Sequence, residues 1–259
     1  MIKFISLLRK SILGLERYPR FLLFAWLVVM LSLPLLRSVF GQRTLLQGLA
    51  LAVLLQLGFI LNVLYKAWGW WGMLRTSVGV VLLTWVIQAI VIRSGLPYGN
   101  LHYTSSLQPQ VLEVPILIPL AWMMMLPPAW AVAKLITHKI SGCLMRIAFI
   151  AVSALVFTAW GFYFDPLMVK LDIMTWIPVG GFYGTPWLNY LGWLLVSGVI
   201  TFGVAPKRIP GGALILVYGL TWIIGFLLLI LFQALPVPAL VGFCLMGGAL
   251  LCASIATRK

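Results

Sequence analysis

Of 259 residues, 63% are hydrophobic and only 8% are charged. A soluble domain carries about a quarter charged residues, so a water-soluble globular fold is excluded. The net charge of +14 would suit a nucleic-acid partner, but its placement along the chain follows the rules of membrane topology instead.

The first 20 residues carry Ile5, Leu8, Ile12 and Leu15 at helical spacing, with Lys3, Lys10 and Arg17 on another face. That pattern predicts an amphipathic helix on the inner leaflet rather than a cleavable signal peptide. Residues 21–259 read as a single all-α transmembrane domain. Nothing ionises between Arg20 and Arg37, Arg43 and Lys66, Arg75 and Arg93, Glu113 and Lys134, or Arg146 and Asp165. Most of these gaps match the roughly 17–25 apolar residues that cross a bilayer. A sixth span starts near Trp187. The uncharged stretch from Arg208 to Arg258 holds two more, divided at Pro236-Val237-Pro238. With eight spans and a cytoplasmic N-terminus, fourteen of the eighteen Lys and Arg fall on inner segments, and only Arg37, Arg43, Arg93 and Lys170 on outer ones. This positive-inside bias predicts an integral protein of a prokaryotic-type cytoplasmic membrane with both termini inside.

Between the spans, two outer loops differ from the short basic inner connections. One runs from Ser94 to about Val111 and the other from Phe164 to about Pro186, and both mix Gly, Pro, Tyr and hydrogen-bonding side chains. Three of the four acids, Glu113, Asp165 and Asp172, therefore meet one membrane boundary, where ionisable groups commonly mark a site or pathway. Asp165 ends an uncharged helix and precedes Pro166. It is either an interfacial acid or a desolvated carboxylic acid that holds its proton near neutral pH. Asp172 follows seven residues later, facing the same cavity or pairing with Lys170. Glu113 is expected in the first turn of the fourth span, favourably placed on the helix dipole. That span also carries Pro115, Pro119, Pro127 and Pro128, which predict a bent, central helix.

His102 is a candidate for positioning water or a carboxyl group. His138 lies on the opposite membrane face, so the two cannot share a metal. Trp68, Trp70 and Trp71 read as an inner interfacial belt. Trp122, Trp160, Trp176, Tyr183 and Trp187 surround the outer acids in sequence. They form either a second belt or a pocket whose ring faces stabilise a carbocation. Cys143, Cys244 and Cys252 form no paired motif and are expected as small buried hydrophobes. No phosphate loop, nucleophile elbow, zinc motif or dinucleotide fingerprint occurs, and no metal or cofactor is expected.

The run GLPYGNLHYTSSLQPQVLEVPILIPLAWMMM (Gly95–Met125) resembles a motif of the membrane carotenoid-biosynthesis family that contains the carotenoid 1′,2′-hydratases and bisanhydrobacterioruberin hydratase. The run FDPLMVKLDIMTWIPVGGFYGTPWLNYLGW (Phe164–Trp193) resembles the second motif of the same family. Together they make residues 95–193 the motif core. The chain departs from the family pattern at Gly161, where an acid is common, and at Glu113, Asp172 and Met174. The resemblance implies a cofactor-independent hydratase that adds water to the terminal double bond of an acyclic carotenoid of the lycopene or γ-carotene type. It implies Asp165 as proton donor, with Tyr98, His102, Tyr103, Asn189 or Asp172 positioning water. Trp122, Trp160, Trp176, Tyr183 and Trp187 would line an end-group pocket. The lipid bilayer and other carotenoid-pathway enzymes are the implied partners, with no nucleic acid. The same residues also fit a non-catalytic pigment-binding or scaffold subunit. A small transporter is disfavoured because few polar residues fall within the spans.

Overall fold

The computed structural model describes residues 14–257. Within them the chain forms seven helices, α1 Arg17–Phe40, α2 Gln42–Ser94, α3 Leu117–Thr137, α4 Cys143–Lys170, α5 Trp187–Val204, α6 Gly212–Phe232 and α7 Pro236–Ala256. Four short strands are confined to the two long loops: β1 Leu101–Tyr103, β2 Gln110–Val111, β3 Val114–Pro115 and β4 Met174–Trp176. All seven helices are long and apolar enough to cross a membrane, so the chain is an integral membrane protein of the all-α class. The predicted amphipathic segment lies outside the described residues up to position 13.

Seven helices make eight crossings because α2 is two spans. Its 53 residues would reach about 80 Å if straight, against a hydrocarbon core of about 30 Å. The helix breaks at Gly69, where φ is 70° and ψ is 179°, a conformation essentially reserved for glycine. Both ends of α2 lie on one side of the protein. Gln42 donates from its side-chain amide to the Leu171 carbonyl, while Ser94 leads directly into the loop whose Thr104 hydroxyl bonds the Asp172 carbonyl. The middle lies on the other side, where the Trp68 indole donates to the Arg208 carbonyl and Lys66 pairs with Glu16. Trp70 and Trp71 are exposed at this tip, as an interfacial belt requires.

The predicted central helix is α3. It is 78% buried over its most apolar stretch, against 17–50% for the other spans, and it packs on α2, α4, α6 and α7. It runs unbroken through Pro127 and Pro128, both buried. The outer helices present Phe21, Phe24, Leu31, Leu195 and Phe202 outward, which lipid solvates as well as a core would. For the same reason Cys244 and Cys252 are exposed on α7 rather than buried as expected.

The two loops are sewn together. Strands β1 and β4 pair antiparallel, with Leu101 opposite Trp176, His102 opposite Thr175 and Tyr103 opposite Met174. Strands β2 and β3 form a hairpin that delivers the chain to α3. This hairpin corrects the position of Glu113: α3 starts at Leu117, and Glu113 is an exposed turn residue with φ of 65°.

A Cβ at Gly69 would meet nothing within 4 Å, so substitution there is opposed by backbone strain alone, of about 1–3 kcal/mol. Gly69→Ala and Gly69→Leu are therefore expected to lower stability equally in detergent thermal unfolding. A much larger loss for Leu would point to a steric origin.

Candidate functional site

Asp165 sits on α4, five residues before the helix ends at Lys170. It is 1% exposed, the one buried acid among the described residues. Its partner comes from the start of α5. Asn189, 2% exposed, donates from Nδ2 to the Asp165 carboxyl oxygen Oδ2 at 2.5 Å. Asn189, Gly192 and Trp193 share one face of α5 by their helical spacing.

That face receives Tyr98 from the first loop. A Cβ at Gly192 would come within 2.1 Å of the Tyr98 ring, so only glycine lets the phenol approach the helix this closely. The Trp176 indole of β4 donates to the Tyr98 carbonyl at 3.1 Å and fixes the loop from the other side. Tyr103 points inward from β1, with its hydroxyl donating to Gln88 of α2. Burial, the largest cause, pushes both phenols well above their ordinary pKa. Both keep their protons and remain donors. Tyr190, stacked on Phe162 at 4.1 Å, completes the ring beside Asp165 and Thr185. The Tyr98 hydroxyl is buried with no hydrogen-bond partner among the described residues, and those of Tyr190 and Thr185 are buried with only each other in reach. Three such groups around one carboxyl form a polar nest inside an apolar bundle, and a buried polar group without a partner costs about 1–3 kcal/mol.

Next to the nest lies an aromatic cluster. Trp193, one turn after Asn189, packs its ring 5.2 Å from Trp122, 5.1 Å from Phe157 and 5.8 Å from Trp160. At Gly161, where the family resemblance suggests an acid, a Cβ would approach the Trp193 ring to 3.2 Å. The indole occupies the space such a side chain would need.

The sequence candidates divide accordingly. Asp165, Asn189, Tyr98 and Tyr103 come together, and Trp122, Trp160 and Trp176 are buried around them. His102, Asp172 and Glu113 do not join them. Strand alternation turns His102 outward while Leu101 and Tyr103 face in, and its side chain is exposed. Asp172, at φ of 53°, is exposed and contributes its carbonyl to Thr104. It does not pair with Lys170, whose ammonium binds the Gln233 carbonyl instead. Tyr183 and Trp187 are 42% and 59% exposed, on the protein surface as in an aromatic belt. Tyr190, Thr185, Trp193 and Gln88 were not singled out from sequence. Tyr190 stands directly beside Asn189 in the second motif, which is the one signal that marked it.

A polytopic helical protein with a lone buried carboxyl at one membrane boundary is the class these features define. The carotenoid biosynthesis protein family matches residues 46–249, and the chain belongs to that family. It is 30% identical over 126 residues to bisanhydrobacterioruberin hydratase of Haloarcula japonica, a match covering 47% of this chain and 41% of that protein. The chain thus matches less than half the length of that curated relative. No solved structure matches it.

Gly192→Ala is expected to drive Tyr98 off α5, lowering stability by about 1–3 kcal/mol. The double change Gly192→Ala with Tyr98→Ala should recover part of that loss in the same unfolding assay, because the clash is between these two residues.

Proposed function

We propose that this protein adds water to the terminal trisubstituted double bond of an acyclic carotenoid end group, giving a tertiary alcohol. The observation that carries this reading is the buried Asp165 carboxyl, held by Asn189 and ringed by phenols. Family membership and the distant relative named as a hydratase support the substrate class.

In this mechanism protonated Asp165 gives its proton to the less substituted alkene carbon, forming a new C–H bond and a tertiary cation. The rings of Trp122, Trp160 and Trp193 stabilise that cation through their electron-rich faces. A water held by Tyr98, Tyr190 and Thr185 attacks the cation through its oxygen. Its surplus proton returns to the Asp165 carboxylate, directly or through a phenol. The sum is alkene plus water to alcohol, with no oxidant, reductant or cofactor. Asn189 fixes the carboxyl rotamer, and the aromatic cluster keeps bulk water from quenching the cation. We read this chain as a protein of a prokaryotic-type cytoplasmic membrane with both termini inside, a reading that the charge bias supports.

Membranes containing the protein, supplied with lycopene or γ-carotene, should yield products heavier by one water in chromatography with mass detection. Asp165→Asn, expressed at the same level, is expected to lose at least about a hundredfold in rate. Hydrated product from no acyclic-ended carotenoid would overturn the activity. Full activity in Asp165→Asn would overturn the assigned acid alone. Reporter fusions after His102 and at Lys139 should place these two residues on opposite sides of the membrane.

A further inference from the structure

A second feature lies on another face of α4, away from Asp165. An apolar cavity of about 130 Å³ runs among α1, α2, α3, α4 and α6, walled by Trp26, Trp160 and Phe164 among others. No member of the polar nest lines it. Along α2 its walls extend from Leu46 to Gln56, a depth of about 15 Å at the helical rise. The Trp193 cluster, which contacts Trp160 and Phe164, separates it from the nest.

Besides Tyr163, whose hydroxyl donates to the Trp222 carbonyl, two polar side chains interrupt this wall. Gln56 is 2% exposed, and its amide nitrogen has the thioether of Met125 as acceptor at 3.4 Å, a weak partner for an amide donor. Thr221 is 7% exposed, and its hydroxyl has no partner among the described residues. A threonine inside a membrane helix ordinarily satisfies its hydroxyl on the carbonyl one turn back. Thr137 does so with Ala133, whereas Thr221, like Thr84 and Thr158, does not, and of these three only Thr221 lines the cavity. By helical rise Gln56 lies about 21 Å from the loop-side end of α2, and Thr221 about 17 Å from that of α6. Both sit near mid-bilayer, where under-satisfied polar groups are expensive and mark function.

We propose that this cavity binds the end of an isoprenoid chain carrying one oxygen, with Gln56 and Thr221 as its hydrogen-bond partners. The size sets the ligand: an engineered apolar cavity of about 150 Å³ holds one benzene, so this one takes about one five-carbon isoprene unit. The aromatic walls suit an unsaturated hydrocarbon. The amide and hydroxyl suit a single alcohol oxygen, which accepts from Gln56 and exchanges a hydrogen bond with Thr221. A tertiary alcohol made by end-group hydration is such a ligand. The ligand class rests on the isoprenoid part of the proposed function, and not on the role of Asp165.

The test measures bound pigment per purified protein, by absorbance, with two probes: lycopene and its mono-tertiary alcohol. Compared in the Asp165→Asn background, which does not convert one probe into the other, the protein should hold the alcohol about tenfold more tightly, as one buried hydrogen-bonding pair predicts. The near-isosteric double variant Gln56→Leu with Thr221→Val should erase that preference and leave lycopene binding unchanged. Ala121→Phe, or Leu49→Trp if the former does not fold, should fill the cavity and release both pigments. Asp165→Asn should bind both as the wild type does while making no product. An undiminished preference in the double variant would overturn the oxygen recognition. Unchanged pigment binding in a folded cavity-filling variant would overturn the site itself. Neither result bears on Asp165, whose assignment stands or falls on turnover.

Discussion

A carboxyl group buried in an apolar bundle must be given partners, and the contact between Asp165 and Asn189 organises everything near it. The donating amide enters from α5, so α4 and α5 must lie side by side with Gly192 and Trp193 facing inward. Gly192 then accepts the Tyr98 ring, and Trp193 fills the groove over Gly161. Nothing in hydrocarbon could replace these contacts, because an unpaired polar group there has no water to fall back on.

The loops close the site because they are paired with each other as well as with the helices. Strands β1 and β4 lie about seventy residues apart in sequence, yet they form one ladder over the mouth of the bundle. That ladder turns Leu101 and Tyr103 inward and His102 outward, and it brings Trp176 to the Tyr98 carbonyl. The result is a floor of membrane helices under a lid of short strands. The protonatable group sits just below the lid, and the apolar cavity extends from the loops to a greater depth on another face of α4. This division matches the chemistry of a long hydrocarbon whose one reactive bond must meet water that the rest of the molecule must avoid.

The sequence made the spans legible because bilayer thickness imposes a length and charge makes the ends visible. The eight crossings fall where the charge-free gaps are, including the two that α2 joins through Gly69. The two motifs likewise placed Asp165, Asn189, Tyr98 and Tyr103 in one neighbourhood. The other acids could not be sorted in the same way. Glu113 reads as a helix-start residue because its neighbours are apolar and proline-rich, yet Leu112 and Glu113 both take positive φ in a hairpin turn. Asp172 and Lys170 look like an ion pair, but the backbone turn at Asp172 sends its carboxyl to solvent.

What the sequence determined by itself is the solvent of this protein, the number of its crossings and that its polar loops gather on one side. These follow from hydropathy and charge, which act residue by residue. Only the tertiary structure decided which acid is buried, which phenols surround it, and that Gln56 and Thr221 share one cavity. Those facts depend on strand alternation over three residues, on one glycine admitting a ring, and on helices far apart in the chain packing together. No local pattern encodes such contacts, because each is fixed by the partner it meets.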